Sequence, residues 1–334
     1  MDLQTNLAEF APKFNWTSYN QSQTREKLLF MKLLKEICVQ IPEPYKRTSN
    51  PKAIPMGDAV FGLALRTYCN APIRRFHSDL KIAREAGYIE REYHFNTMKD
   101  HLHHPKLSSI LQDLIQVSSL PVKPLERFFA ADATGFSCAK FNRWFDFRLQ
   151  KTTRKRMWRK CHAICGVLTH CVTSVEVTPG DVNDITQFEK LVNKTAKNFK
   201  MEEISADKGY LSRENFELAD EIGSTAFIPF KSNSTGKARG SGVWAKMYRH
   251  FQEHQEDFMK HYHKRSNIES VWSMIKARFN NHLRSRREDA QDNEILLKVL
   301  CHNICVLIQE MFMRNLSIEF LDSRSENDAE RKNS

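Results

Sequence analysis

The stretch Phe128-Phe129-Ala130-Ala131-Asp132 decides the fold class of this chain, because a short apolar run ends in an acid. Such a run is typical of a buried strand, and an acid at the carboxyl end of a central strand is a common way for an α/β fold to present chemistry. A second run, at 203–206, ends in the same way at Asp207. Two acids at matching strand ends are stronger evidence for a site than one acid in a chain that has 40.

The segments around these strands alternate between strand and helix patterns. In chain order, the predicted strands are 128–132, 157–167, 170–178, 203–206 and 226–229, and the predicted helices are 185–199, 213–222, 262–279 and 290–313. The order β-β-β-α-β-α-β followed by helices predicts a mixed α/β domain. Three of the eleven glycines fall within 231–243, which predicts a flexible insertion over about 231–258.

The composition favours a polyanionic partner. The 334 residues carry 51 lysines and arginines against 40 acids, for a net charge of +11 and a pI near 9.2. No clean apolar run approaches the roughly 18 residues of a transmembrane helix, so we expect no membrane partner. The first residues carry acids and no apolar signal core, so the eight cysteines are expected to be thiols. Zinc binding by Cys161/Cys165 or Cys301/Cys305 is the alternative to buried thiols.

The region 1–120 is predicted to be helical. A helical pattern over 22–41 precedes a loop at 42–55, and three short helices follow at 58–69, 73–86 and 96–103. Short helices joined by tight turns predict a helix-turn-helix-like segment over about 57–104. The middle helix carries the basic residues Arg74, Arg75, His77, Lys81 and Arg84. These residues fit DNA contact and a solvated basic face equally well.

A late helix places one acid among cations. At about 100° per residue, Tyr262, Arg265, Glu269 and Lys276 fall within an arc of about 60°. The apolar positions of the same helix lie beside this arc, so the polar stripe is predicted to line the edge of the core. Taken alone, a surface Arg–Glu pair on an amphipathic helix explains the same pattern.

Two basic runs predict nonspecific contact with DNA. Residues 140–160 hold nine lysines and arginines and one acid, and residues 276–287 hold five and none. Because neutralised phosphates supply much of the affinity of DNA-binding proteins, we expect salt-sensitive binding. The aromatic residues within the first run, Trp158 among them, fit either base stacking or core packing. The DNA contacts predicted from that run are Arg154, Lys155, Arg156, Arg159 and Lys160.

Together these residues resemble the DDE transposases of bacterial and archaeal insertion sequences. The pattern consists of Asp132, the stretch Asp207-Lys208-Gly209-Tyr210, and Tyr-x2-Arg-x3-Glu-x6-Lys at 262, 265, 269 and 276. The likeness covers roughly 125–310, including 301–308, and is weaker over 110–126. It implies a ribonuclease-H-like catalytic domain at 125–318, a mixed sheet flanked by helices. An α-helical N-terminal region (1–120) that binds DNA ends would precede it, and a disordered tail (322–334) would follow.

The resemblance also implies roles for individual residues. Asp132, Asp207 and Glu269 would be the catalytic, metal-binding acids, and Tyr262, Arg265 and Lys276 would contact the DNA backbone beside the scissile phosphate. Three carboxylates that meet raise at least one pKa unless cations share the site. Two Mg²⁺ ions, with Mn²⁺ as a substitute, would remove that conflict and suit carboxylate oxygens.

The expected function is transposition of the protein's own insertion element, by DNA cleavage that frees a 3′-OH and attack of that 3′-OH on target DNA. Double-stranded DNA is the expected partner, as element ends and as target, and two paired ends favour a homodimer. We expect a cytoplasmic, nucleoid-associated location. A ribonuclease-H-fold nuclease without strand transfer and a catalytically idle DNA-binding protein derived from a transposase remain alternatives.

Other recombination chemistries fit the sequence less well. A tyrosine recombinase needs His with Arg three residues later, and none of the thirteen histidines has it. The stretch His101-Leu102-His103 fits the pattern of single-strand endonucleases, but a solvated helix end is the simpler account. The sequence has no phosphate-binding loop for ATP.

Overall fold

The computed structural model describes residues 15–43, 53–138 and 158–320. The chain forms two compact units: unit 1 comprises residues 1–121 and 287–334, and unit 2 comprises residues 122–286. The helices within the described residues are α1 (Trp16–Cys38), α2 (Met56–Tyr68), α3 (His77–Glu85), α4 (Phe95–Leu102), α5 (Leu107–Ser119), α6 (Ile185–Ala196), α7 (Arg213–Glu221), α8 (Gly242–Glu253), α9 (Gln255–Tyr262), α10 (Ser266–Phe279) and α11 (Glu288–Met313). The strands are β1 (Phe128–Ser137), β2 (Trp158–Gly166), β3 (Val172–Pro179), β4 (Glu203–Ala206) and β5 (Thr225–Phe227).

Unit 2 is built on one mixed sheet with the strand order β3-β2-β1-β4-β5. The first three strands form an antiparallel meander, and β4 and β5 run parallel to β1. The parallel strands need crossover connections, which α6 and α7 supply. This topology confirms the predicted α/β class, a ribonuclease-H-like mixed sheet flanked by helices.

The two faces of the sheet are covered by different helices. On one face, α6 packs on β2 and β3 through Phe188, Leu191 and Val192, which recur at helical spacing and are buried. On the other face, α10 packs on β1. Because side chains alternate along a strand, the even-numbered residues of β1 share the face that α10 covers.

The predicted flexible insertion at 231–258 is wrong from residue 242 onward, where α8 and α9 form. An aromatic cluster anchors these helices: Trp244 lies 4.8 Å from Phe230 and 5.8 Å from Phe216, centroid to centroid. The indole Nε1–H also donates to the carbonyl oxygen of Thr235 at 2.8 Å. The prediction of flexibility was based on the glycines at the start of the segment, whereas aromatic packing stabilises the helices that follow.

Unit 1 is a helical bundle around α11. The polar residues of α11 are paired: Asn303 Nδ2 donates to Ser118 Oγ at 2.9 Å, and Asn293 Nδ2 donates to the carbonyl oxygen of Leu102 at 2.9 Å. The sequence placed this helix in the catalytic domain, but in the structure it packs against α1, α2, α4 and α5. Its apolar residues extend around most of the helix, so it needs partners on several sides.

By length and composition alone, α11 is the one helix within the described ranges that could cross a membrane. Within its most apolar stretch, however, 78% of the residues are buried inside the protein, as in a core helix. No disulfide joins the eight cysteines, as predicted. The predicted disordered tail lies outside the described residues.

Candidate active site

The register of β1 against β4 places Asp132 and Asp207 next to each other. Ala131 pairs with Ala206, the last residue of β4, so the two acids take the next positions on neighbouring parallel strands. Asp207 begins a 3₁₀ turn, Lys208–Tyr210, and its Oδ1 accepts the turn's first backbone N–H at 2.5 Å. The sequence correctly predicted Asp207 after the end of its strand, but the prediction that the first strand ends at Asp132 is wrong, because β1 continues to Ser137.

Asp132 is a partly buried carboxylate whose charge is incompletely neutralised. Its side chain is 18% exposed, and Arg265 Nη1 lies 3.7 Å from its Oδ2. Burial raises the pKa of Asp132 to about 6, against the opposing effects of the Ala133 backbone N–H and of Arg265, and Asp207 and Glu269 raise this pKa further. The site therefore favours additional positive charge beyond that of Arg265.

Glu269 lies in the first turn of α10 and is bound to Arg265. Arg265 Nη2 donates to Glu269 Oε1 at 2.6 Å, and the Glu269 side chain is 52% exposed. The guanidinium carbon of Arg265 lies 5.8 Å from the ring centroid of Tyr262. The structure therefore brings Tyr262, Arg265 and Glu269 together at the edge where Asp132 lies, as predicted.

The prediction of one continuous helix over 262–279 is wrong. The helix α9 ends at Tyr262, and a 3₁₀ turn, His263–Arg265, separates it from α10. A 3₁₀ turn aligns residues three apart, and His261 and Lys264 both contact Glu203, at 2.8 and 2.6 Å. Glu203 thus holds both the end of α9, through His261, and the 3₁₀ turn, through Lys264.

Lys276 lies on the same face of the sheet as Asp132. Its Nζ donates to Thr134 Oγ1 at 2.5 Å and lies 5.6 Å from the ring centroid of Phe136. Burial lowers the pKa of Lys276, whereas Cys161 and Asp132 raise it. Sequence reasoning missed Thr134, although its position two residues after Asp132 on one strand was a usable signal.

The residues predicted to contact DNA from the first basic run have different positions. Arg154, Lys155 and Arg156 lie outside the described residues. Arg159 is buried on β2, with 8% of its surface exposed. Lys160 Nζ lies 2.6 Å from Asp184 Oδ1, within an ion pair.

Sequence reasoning also missed the network around Asp184. The buried His162 has its Nδ1 3.2 Å from Asp184 Oδ1 and its Nε2 2.9 Å from Thr178 Oγ1. Burial raises the pKa of Asp184, but the bonds from His162 and Lys160 outweigh burial and lower it. A Cβ atom on Gly209 would lie 3.5 Å from Asp184 Oδ2, so this network lies beside the turn that Asp207 begins.

The donor types of the site fit a hard divalent cation. Asp132, Asp207 and Glu269 supply only carboxylate oxygens, which such a cation prefers. Arg265 offsets only part of the effect of burial on Asp132, whose pKa stays raised. Their side chains interact electrostatically, but within the described ranges no group of three or more His, Cys, Asp or Glu side chains gathers closely enough to hold a metal ion. The contact between Arg265 and Glu269 occupies one of the three carboxylates.

The sheet and these acids define the class: a ribonuclease-H-like domain with acids after β4, within β1 and on a late helix. The model of the family described as "Transposase DDE domain" matches residues 123–304, more than half of the chain, so the chain belongs to this transposase family. Among solved structures, the chain is similar to the piggyBac transposase in a synaptic complex with hairpin DNA. That likeness has 11% sequence identity and a TM-score of 0.40, and covers 91% of this chain and 82% of the other. No curated protein matches the chain.

Proposed function

We propose that the chain catalyses metal-dependent DNA cleavage and strand transfer of its own insertion element, with Asp132, Asp207 and Glu269 as the catalytic acids. The observation that carries the proposal is the position of Asp132: the register of β1 and β4 places it next to Asp207, and it lies 3.7 Å from Arg265, which is bound to Glu269. Burial and the two further carboxylates raise the pKa of Asp132 to about 6, an unfavourable arrangement that folding alone does not require. Membership of the transposase family supplies the reaction class.

The three acids would hold two divalent ions, Mg²⁺ or Mn²⁺. When bound, such ions activate the attacking oxygen and stabilise the leaving oxygen of an in-line displacement at phosphorus. In the first reaction, a water oxygen bonds to phosphorus and the 3′-oxygen of the cleaved strand leaves with a proton. In the second, that 3′-oxygen bonds to a target phosphorus, loses its proton to solvent, and displaces a target 3′-oxygen.

The cations of the site would orient the DNA backbone. Arg265 has a planar fork that suits phosphate oxygens, and Lys276 is fixed by its bond to Thr134. The phenol of Tyr262 would donate a hydrogen bond. On binding DNA, Arg265 would exchange its contact with Glu269 for one with phosphate, which would release that carboxylate toward the ions.

Double-stranded DNA is the proposed partner, both as element ends and as target. The net charge of +11 and the family support this partner. Two DNA ends held at once would need two active sites, for which a homodimer is the simplest arrangement. Salt-sensitive binding to duplex DNA is expected, with affinity falling as salt displaces the phosphate contacts.

A cleavage and strand-transfer assay tests the proposal. It uses DNA that flanks the protein's own gene, with Mg²⁺ or EDTA, and compares the wild-type chain with Asp132→Asn. We expect metal-dependent 3′-OH ends that join to target DNA and are absent in the variant. Cleavage without joining would favour a nuclease, and binding without cleavage would favour an idle DNA-binding protein.

A further inference from the structure

The helix α3 in unit 1 presents one fixed outer face. Its inner face is buried through Phe76, Leu80 and Ala83. Gly62 of α2 allows this close packing, because a Cβ atom there would lie 3.3 Å from Leu80 Cδ1 and would clash with the Tyr93 hydroxyl. The inner face therefore fixes the rotation of α3, and the same residues stay outside.

The segment that follows α3 is also tied to α2. The Glu90 backbone N–H donates to Asp58 Oδ2 at 2.7 Å, and the Tyr93 hydroxyl donates to the Asp58 carbonyl oxygen at 3.1 Å. The rings of Phe61 and Tyr88 stack with centroids 5.6 Å apart. The α2–α3 pair is thus held at both ends, as a helix that recognises a ligand needs to be.

The outer face of α3 combines an aliphatic side chain with cations and a hydroxyl. Ile82 is 59% exposed, Ser78 and Lys81 of the same helix are exposed around it, and Arg75 is exposed in the turn just before the helix. Ser78 Oγ donates to the Arg75 carbonyl oxygen at 3.0 Å, which ties that turn to the start of α3. A single exposed isoleucine is ordinary on a protein surface. Here an arginine and a serine lie beside it, and base pairs present both polar groups and the apolar thymine methyl group in the major groove.

Ion pairs divide the basic residues of this segment into two groups. His77 Nε2 lies 4.0 Å and Arg84 Nη1 lies 3.3 Å from Glu92, so these two are engaged within unit 1. Within the described residues, Arg75 and Lys81 form no ion pair and remain available to an external anion. The five basic residues noted in the sequence are therefore not equivalent.

We propose that the outer face of α3 and the turn before it contact base edges in the major groove of duplex DNA, with Arg75, Ser78 and Ile82 toward bases and Lys81 toward phosphate. The width of the major groove admits an α-helix, arginine pairs with guanine, and an aliphatic side chain packs on the thymine methyl group. Glu85, one turn further along the face, would accept from a cytosine amino group. The inference depends on the proposed function only for DNA as the partner.

Selection from a randomised duplex pool tests the inference. The full-length chain is incubated with the pool in EDTA, bound duplexes are recovered and sequenced, and affinities for the selected and the random pools are compared. We expect Arg75→Ala, Ser78→Ala and Ile82→Ala each to change the preferred base at one or two positions and to lower the preference for selected over random DNA about tenfold. Lys81→Ala should weaken both affinities equally.

Two variants of unit 1 serve as matched controls. Leu28→Ala removes an exposed aliphatic side chain from α1, and Lys99→Ala removes an exposed cation from α4; both should leave the selected sequence unchanged. A wild-type chain that selects no sequence, or a selected sequence that survives all three α3 variants, would overturn the inference. So would an Ile82→Ala variant that changes only the sedimentation of the chain, since Ile82 would then contact a second copy.

The selection contains no metal and no reaction, so its failure is distinguishable from failure of the proposed function. Strand transfer that persists with an unselective α3 would refute only the base contacts. A sequence selected through α3 by a chain that never cleaves DNA would refute only the catalysis.

Discussion

The sheet of unit 2 carries two partly buried carboxylate sites that differ in how well their charge is neutralised. At the start of β4, Glu203 accepts from Lys264 Nζ at 2.6 Å and lies 2.8 Å from His261 Nδ1. Burial raises the pKa of Glu203, but these two partners outweigh burial and lower it. On the neighbouring strand β1, Asp132 has Arg265 at 3.7 Å, and its pKa is raised to about 6.

The two carboxylates are similarly buried, with 14% and 18% of their side chains exposed, so burial alone does not separate them. The difference lies in their partners. Glu203 has two hydrogen-bonded partners, Lys264 and His261, whereas Asp132 shares a single arginine with Glu269 and faces two other acids. A fully paired carboxylate indicates a structural role, and an underpaired one indicates a site for an external cation.

Removing the charge of Asp132 should have the largest effect on activity. Asp132→Asn should reduce strand cleavage roughly 10³-fold or more, because a lost metal ligand costs several kcal/mol of transition-state stabilisation. Single-turnover cleavage of a labelled duplex measures this loss. Asp220→Asn, an exposed acid on α7, is the matched control and should cleave at the wild-type rate. Cleavage by Asp132→Asn at the control's rate would remove this residue from the site.

Removing the charge of Glu203 should affect stability instead. Glu203→Gln leaves Lys264 buried without its anion, and should lower the free energy of unfolding by about 3 kcal/mol. Urea denaturation of the full chain measures the change, and Asp132→Asn under the same conditions should not lower stability. If both variants lost stability equally, the contrast between the two sites would fail.

The stability that Glu203 provides should depend on pH in a defined direction. The pKa of Glu203 is lowered from its ordinary value of 4.5, so its contribution is complete above that value and is lost as pH falls through the folded-state pKa. The difference in unfolding free energy between wild type and Glu203→Gln should therefore shrink as pH falls below about 5. A difference that grows on acidification would reverse the assigned sign.

Lys276 should contribute less than Asp132. Lys276→Met removes a half-buried cation beside the acids and should slow cleavage roughly tenfold, about the value of one charge-assisted hydrogen bond. Lys260→Met removes an exposed cation from α9 and serves as its control. Equal rates for the two variants would show that Lys276 does not act on the substrate.

Thr134 should have the smallest effect. Thr134→Val removes the acceptor for Lys276 Nζ and should slow cleavage about threefold, as expected for one net hydrogen bond. Thr134→Ser retains the hydroxyl and should restore the wild-type rate. A Thr134→Ser variant as slow as Thr134→Val would assign the effect to packing rather than to the hydrogen bond.

The sequence predicted the parts of this comparison that depend on local pattern. Apolar runs ending in Asp132 and Asp207 located the two strands that carry these acids, although β1 continues past Asp132 to Ser137, and helical spacing brought Arg265 and Glu269 together. The Glu203 site was missed because it joins residues 58 and 61 positions apart, and no local periodicity encodes such pairs. The position of α11 was missed for the same reason, since its partners lie in the first 120 residues.

The carboxylates Asp132, Asp207 and Glu269 should hold divalent metal, whereas the paired carboxylate of Glu203 should not. A Mn²⁺ titration of the full chain with duplex DNA, followed by the loss of the free-ion electron paramagnetic resonance signal, tests it directly. We predict that wild type and Glu203→Gln bind Mn²⁺ alike, and that Asp132→Asn, Asp207→Asn and Glu269→Gln bind it at least about tenfold more weakly. Wild-type Mn²⁺ affinity in Asp132→Asn would contradict the claim.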